Sequence, residues 1–260
     1  MQTLSVVLAV YNEERNLTRC LESVKDLADE IVIVDGTSTD KTVEIAKKYH
    51  AKIEITTNLQ IFHINKQKAI DLATKQWILQ LDADEVVSKE LAEEIIDILK
   101  DTTHEYAGYW IPRKNYFLGR FLMKGGQYPD YTIRFYQKGK GRLPQKDVHE
   151  QAVIDGKVGY LHAALLHYPY KDFANYKLKW ERYNSIFAAQ MKTELQHKNY
   201  LFKMWFAINN LLIKPITWFL MAYIRHKGFV DGWQGFIFAY YSALRFPASY
   251  IIARTSHEKN

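Results

Sequence analysis

Trp77-Ile78-Leu79-Gln80-Leu81-Asp82-Ala83-Asp84-Glu85 runs from an apolar stretch into three carboxylates within four residues. The apolar part is short and bounded by polar residues, which reads as a buried strand. Two carboxylates about 4 Å apart repel by roughly 4 kcal/mol at an effective dielectric near 20. A strand end that holds them together therefore calls for a cation. Oxygen ligands suit a hard ion, Mg2+ or Mn2+, which commonly also takes oxygens from a substrate phosphate. The competing reading is a solvated turn leading into an acidic helix start, because Ser88, Glu90, Glu93 and Glu94 suit a helix N-terminus. Asp-x-Asp alone does not separate the two; the flanking sequence does.

Working outward, residues 4–10 form a continuous apolar run that predicts a first buried strand. Leu17, Leu21 and Val24 then recur at helical spacing. Residues 31–34 predict a second strand ending at Asp35, and Gly36-Thr37-Ser38-Thr39-Asp40 a turn that caps a helix over residues 41–49. A third strand fits residues 52–55, and a helix over residues 66–74 leads into Trp77. Beyond the carboxylates, residues 88–99 predict a helix with Leu91, Ile95, Ile98 and Leu99 inward. This alternation predicts an α/β fold, a Rossmann-like, mainly parallel sheet flanked by helices. In such sheets ligands bind beyond the carboxyl ends of the strands. Tyr11-Asn12-Glu13, Asp35 and Asp82-Ala83-Asp84 each follow a strand, so three polar clusters converge on one edge. Residues 106–167 change to short β-prone pieces punctuated by Gly and Pro, and beyond Tyr170 the pattern is helical and aromatic. The expected division is 1–170 for a catalytic domain and 171–260 for a helical extension.

The 260 residues are 48% hydrophobic, enough to fill a sizeable core. A single cysteine, Cys20, excludes an intrachain disulfide framework, fits a reducing compartment, and lies where a helix would bury it. The N-terminus enters a strand at once and lacks the marks of a signal peptide. Charge is uneven. Residues 171–260 hold 13 Lys/Arg against 5 Asp/Glu, a net of +8 out of +6 for the whole chain. The same third is rich in Trp, Tyr and Phe, which points to a membrane surface or a nucleic acid. The basic residues sit among large apolar ones with no nucleic-acid-binding module, so nucleic acid is the weaker reading. No Gly-x-Gly-x-x-Gly follows the first strand, which speaks against a dinucleotide oxidoreductase.

Three motifs in order, Val6-Val7-Leu8-Ala9-Val10-Tyr11-Asn12-Glu13-Glu14, Val34-Asp35-Gly36-Thr37-Ser38-Thr39-Asp40-Lys41-Thr42 and Leu81-Asp82-Ala83-Asp84-Glu85, make the chain resemble an inverting family 2 glycosyltransferase of the GT-A type. Val148-His149-Glu150, Lys214-Pro215 and Lys227-Gly228-Phe229-Val230-Asp231-Gly232 resemble the subgroup that includes lipopolysaccharide-core β-1,4-glucosyltransferases. The resemblance implies a nucleotide-sugar donor, expected to be a UDP-sugar, with Mg2+ or Mn2+ held by Asp84 and Asp82. Tyr11, Glu13 and Asp35 would bind the nucleoside; for Asp35 the bland alternative is a turn residue. Gln67 and Lys68 match positions that help hold the donor, Lys68 facing phosphate or the carboxylates, while Lys66 reads equally as solvated. Arg134 would serve the diphosphate or the acceptor loop, and Gly125-Gly126-Gln127-Tyr128-Pro129-Asp130 reads as a loop over the acceptor. His167 is a further metal or phosphate ligand, or else a core histidine. Glu150 would be the base that takes the acceptor proton, with Asp147 and Asp130 in reserve and His149 supporting the loop.

The C-terminal third has two apolar stretches, residues 201–224 and 229–253, interrupted by Lys203, Asn209, Asn210, Lys214 and Pro215 and by Asp231, Gln234, Arg245 and Pro247. A spanning helix wants about 20 mostly apolar residues without such breaks. These therefore read as amphipathic helices lying in an anionic membrane surface, with a bundle packed on the catalytic domain or a homo-oligomer interface as the alternative. The expected enzyme is cytoplasmic, peripheral to the inner face of the membrane, and acts on a lipid-linked saccharide, expected to be lipopolysaccharide core. Alternatives are a polyprenyl phosphate, peptide or capsule-precursor acceptor, or a non-catalytic membrane scaffold.

Overall fold

The computed structural model describes residues 1–58, 63–103, 105–144 and 151–255. The chain forms two compact units. One comprises Met1–Lys114 and Asp130–His167, the other Asn115–Pro129 and Tyr168–Asn260. A cut at residue 170 thus assigns segment Asn115–Pro129 differently from the structure, which clusters it with the helical part.

In the first unit, β1 (Leu4–Val10), β2 (Glu30–Asp35), β3 (Lys52–Ile55) and β4 (Trp77–Leu81) alternate with α1 (Leu17–Glu22), α2 (Thr42–Lys48) and α3 (His63–Leu72). Their sheet order is β3-β2-β1-β4, parallel throughout, so the winding reverses between β1 and β4. That reversal opens the crevice where α/β sheets bind ligands. The strands read as continuous apolar runs because both sheet faces are covered. Val6, Leu8 and Val10 face α1 and α4 (Lys89–Lys100), while Val7, Val32, Val34 and Ile78 face Ala69, Ile70 and Ala73. Each such fully buried side chain contributes about 1.5–3 kcal/mol. The α4 helix starts at Ser88, whose hydroxyl accepts the Leu91 N–H at 3.1 Å, and it buries Leu91, Ile95 and Leu99.

Beyond β4 the sheet continues through β8 (Asp130–Gln137), β6 (Gly108–Phe117), β9 (Leu165–His167) and β5 (Glu85–Val87), with β8 antiparallel to both β4 and β6. Antiparallel pairing of β9 with β5 sets His167 opposite Glu85. This places the residue after the carboxylate turn beside a strand that arrives 80 residues later.

In the second unit, the end of β6 pairs with β7 (Arg120–Leu122), and α5 (Phe173–Leu195) packs on α8 (Gly232–Thr255). Between them a continuous helical run covers Tyr200–Arg225. It comprises α6 (Tyr200–Ile208), a π-helical turn Asn209–Ile213, α7 (Lys214–Phe219) and a second π turn Leu220–Arg225. Here the structure corrects the reading of interrupted stretches. Pro215 sits in the first turn of α7, where its missing N–H is tolerated. Likewise α8 continues past Arg245 and Pro247. By length and composition the Tyr200–Arg225 run could cross a membrane. Leu212, Ile216, Leu220 and Ile224 are exposed at four-residue intervals. In a pure α-helix each such step overshoots a turn by about 40°. The π turns take in extra residues and reduce that drift, so the apolar stripe stays on one side.

Asp231 ties this unit's loops together. It is buried and accepts the backbone N–H groups of Met123 and Lys124 at 3.0 and 2.7 Å, with Arg120 at 3.5 Å. Gly228 and Gly235 lie so close that a Cβ on Gly235 would stand 2.0 Å from the Gly228 carbonyl oxygen, which requires glycine there.

Candidate active site

The edge formed by the carboxyl ends of β1, β2 and β4 gathers the three polar clusters, because register aligns them. Val10 pairs with Asp35, and Leu8 with Leu81. The loops after β1 and β2 are stitched by side-chain hydrogen bonds. Asn12 N–H donates to Ser38 Oγ (2.9 Å), Thr39 N–H to Asn12 Oδ1 (2.8 Å) and Glu13 N–H to Thr42 Oγ1 (2.7 Å). Tyr11 is half exposed at 44% on this rim and free to meet a planar ligand. Glu13 caps α1 through its carbonyl, and its carboxylate accepts Asn16 Nδ2 at 2.8 Å. Asp35 is buried and accepts both Ser38 N–H (2.8 Å) and Ser38 Oγ–H (2.5 Å), so it builds the turn. Each of its oxygens keeps a lone pair for a further donor.

After β4 the chain closes on itself. Asp82 N–H donates to Glu85 Oε2 and Glu85 N–H to the Asp82 carbonyl, both at 2.9 Å. The carboxylates then alternate with cations in one network. Lys66 Nζ pairs with Asp82 Oδ1, and Arg134 Nη2 bridges Asp82 Oδ2 (2.5 Å) and Glu85 Oε1 (3.1 Å). Arg113 reaches the same Glu85 oxygen at 3.2 Å and holds Asp130 at 2.7 Å. Burial alone would raise the Asp82 carboxyl, but Arg134 and Lys66 overcome it and hold the group well below the usual carboxylate range. Burial lowers the Lys66 ammonium, with Asp82 opposing. Burial likewise works against the charged form of Arg134, yet Asp82 and Glu85 keep its pKa raised. Arg134 Nε is buried with no hydrogen-bond partner among the described residues.

The repulsion expected between the carboxylates is thus largely offset by the protein's own cations. Asp84 is the exception. Among the described residues no lysine or arginine pairs with it; its partner is His167 Nε2, 3.5 Å from Oδ2. Both side chains are partly exposed, at 25% and 16%. A partly exposed carboxylate beside an imidazole nitrogen fits two ligands of a divalent cation, the other positions being left to phosphate oxygens and water. Among the described residues no cluster of three such ligands exists.

Several anticipated residues have other partners. Lys68 lies on the surface 3.0 Å from Glu54, and it is Lys66, read as equally a solvated residue, that reaches the carboxylates. Gln67 is buried; its Oε1 accepts Leu143 N–H (2.8 Å) and its Nε2 donates to Asp71 (2.7 Å). Arg134 meets Asp82 and Glu85, as given above, and not open solvent. Asp147, Val148, His149 and Glu150 lie outside the described residues. Sequence reasoning missed Lys66, Glu85 and Arg113. A signal for Lys66 existed: it precedes Ala69, Ile70 and Ala73 by three, four and seven residues, the buried face of α3. Cys20, fully buried, sets its Sγ 3.6 Å from the Asp82 carbonyl oxygen.

With this geometry in hand, comparison with known proteins is specific. The chain is 29% identical over 259 residues to the lipopolysaccharide core biosynthesis glycosyltransferase LpsC of Rhizobium meliloti, covering 93% of this chain and 91% of LpsC. It is 29% identical over 248 residues to the uncharacterized glycosyltransferase RT0209 of Rickettsia typhi, covering 91% and 82%. The crystal structure of S. aureus TarS shares the fold at 18% identity and a TM-score of 0.50, over 87% of this chain and 45% of TarS. The sequence model of glycosyl transferase family 2 matches residues 5–164, more than half of the sequence, and the chain belongs to that family.

Proposed function

We propose that this glycosyltransferase takes a nucleotide-diphosphate sugar, a UDP-sugar first among them, together with a divalent cation, and transfers the sugar to a hydroxyl of a lipid-linked saccharide. The observation that carries the reading is the asymmetry of the carboxylate turn. Asp82 and Glu85 are neutralised by Lys66, Arg134 and Arg113, whereas Asp84 pairs, among the described residues, with His167 and with no lysine or arginine. The network holds the turn rigid, and Asp84 is left as the available anion. A cation held by Asp84 and His167 would offset the negative charge that grows on the leaving diphosphate. Its one imidazole ligand favours Mn2+ over Mg2+. Tyr11 is placed to pack on the nucleoside, and Asp35 retains acceptor capacity for a base N–H.

Asp82 restrains Lys66 and Arg134, and those two cations provide positive potential beside the phosphates. Glu150 is assigned the general base, because a neutral hydroxyl needs its proton removed as it attacks the anomeric carbon. Lipopolysaccharide core as acceptor is supported by the likeness to LpsC over nearly the whole length of both chains. Action at the cytoplasmic face of a membrane is supported by the basic C-terminal third and by the exposed stripe of Tyr200–Arg225. We read that helix as lying in the surface plane, since Asn210 and Lys214 sit on its inward side facing other helices.

The test is thermal stabilisation of the full chain by a panel of nucleotide sugars with and without Mn2+. A ligand at a hundredfold excess over its dissociation constant adds about 2.7 kcal/mol. Stabilisation should require metal and vanish in Asp84→Asn and His167→Ala. Full stabilisation without metal would remove the metal from the reading. Glu150→Gln should keep donor binding and lose turnover; unchanged turnover would remove Glu150 as the base.

A further inference from the structure

The helical unit contains a cavity of about 390 Å³ between α5 and α6, walled by the rings of Phe187, Phe202, Trp205 and Phe206, with Glu194 and Lys214 as its charged groups. Lys214 donates to Asn210 Oδ1 at 3.2 Å and lies over the rings of Phe206 and Phe246, 5.8 and 5.6 Å from their centroids. Arg245 adjoins the same walls. Its guanidinium lies 5.3, 5.2 and 4.9 Å from the ring centroids of Phe187, Trp218 and Phe246. No carboxylate pairs with either cation among the described residues. Burial alone pushes the Arg245 pKa down, with nothing opposing it.

Aromatic faces stabilise a cation but leave its charge uncompensated. Lys214 on the lining and Arg245 just outside it, both partly exposed, share the Phe246 ring and outnumber the one carboxylate of the lining, Glu194. Guanidinium and ammonium groups in such a setting are suited to phosphate oxygens. Trp205 on the cavity wall is 54% exposed, and Leu201 and Met204 on the same helix are exposed at 67% and 46%. A free phosphate has no use for aromatic walls and an apolar rim, whereas a lipid carries both parts.

We propose that this cavity holds the phosphate headgroup of an anionic lipid, with Lys214 and Arg245 supplying the charge and the Phe202, Trp205 and Phe206 rings packing on the first carbons of the acyl chains. The site is built from residues of the helical unit alone and does not depend on the transfer reaction. It replaces diffuse attraction of a basic surface by two named cations.

The experiment measures binding of the full chain to vesicles of phosphatidylcholine alone and of phosphatidylcholine with phosphatidylglycerol, with inorganic phosphate as a soluble competitor. Lys214→Gln combined with Arg245→Gln should weaken binding to the anionic vesicles at least tenfold. The exposed pair Arg225→Gln and Arg254→Gln, which removes the same charge, should change it by about twofold. Equal losses in the two double variants would reduce the effect to diffuse electrostatics and overturn the site. Inorganic phosphate that displaces the chain at concentrations comparable to the lipid would overturn the lipid as its occupant. Should the inner double variant fail to fold, the unaltered chain is titrated with short-chain phosphatidylglycerol while tryptophan emission is read. Trp205→Phe should abolish most of the change, and an undiminished change would place the lipid elsewhere.

Discussion

The two units hold the cations packed among their elements in opposite ways. At the sheet edge Lys66, Arg134 and Arg113 each face a carboxylate, so charge alternates along Lys66–Asp82–Arg134–Glu85–Arg113–Asp130. In the helical unit Lys214 and Arg245 face rings and one amide oxygen. The first arrangement is rigid because every member would be costly to strand. The second is tolerant, because removing a cation strands no anion. One is built to hold a backbone turn in place, the other to stay receptive.

Arg134→Met gives the largest expected effect. It leaves Glu85, which is fully buried, with Arg113 as its remaining cation among the described residues, and such breaks of buried pairs cost about 3–5 kcal/mol. Denaturant unfolding should show that loss. A cost no greater than that of Arg245→Met would erase the distinction between the units.

Acid gives the next effect. The Asp82 pKa is depressed in the folded chain, so its contribution is fully present above the ordinary carboxylate value of about 3.9 and is lost as pH falls below it. Denaturant unfolding should show stability falling between neutral and strongly acid pH, and Asp82→Asn should flatten the fall.

Lys66→Met should cost about 1–3 kcal/mol, since Arg134 still holds Asp82. Lys68→Met, two residues on, should stay within about 0.5 kcal/mol because its partner Glu54 is exposed. Equivalent results for the pair would contradict the assignment of Lys66 to the network. Arg245→Met should cost about 0.5–2 kcal/mol in thermal unfolding. A larger loss would mean that Arg245 is part of a structural network after all.

The sheet was legible because its strands carry uninterrupted apolar runs between helical patterns. The predicted bounds of β3 and β4 coincide with those in the structure. Register then brought Tyr11, Asp35 and Asp82 to one edge, as the strand ends implied. The charge network was less legible. Its members come from α3, the turn after β4, β6 and β8, and no local pattern states that Arg113 and Arg134 will meet Glu85. Lys66 was hidden by the general expectation that lysine stays solvated. The long helix was misread because Asn209, Asn210 and Pro215 look like breaks, whereas a π turn takes up the irregularity.

Cys20 turns the carboxylate turn into its own clock. The chain has one thiol, sealed in the core and set against the backbone carbonyl of Asp82, and burial also raises its pKa. A small alkylating reagent can react only in moments when α1 and the carboxylate turn part. The labelling rate therefore counts those openings without any engineered probe, and a bound donor that holds the turn should slow it.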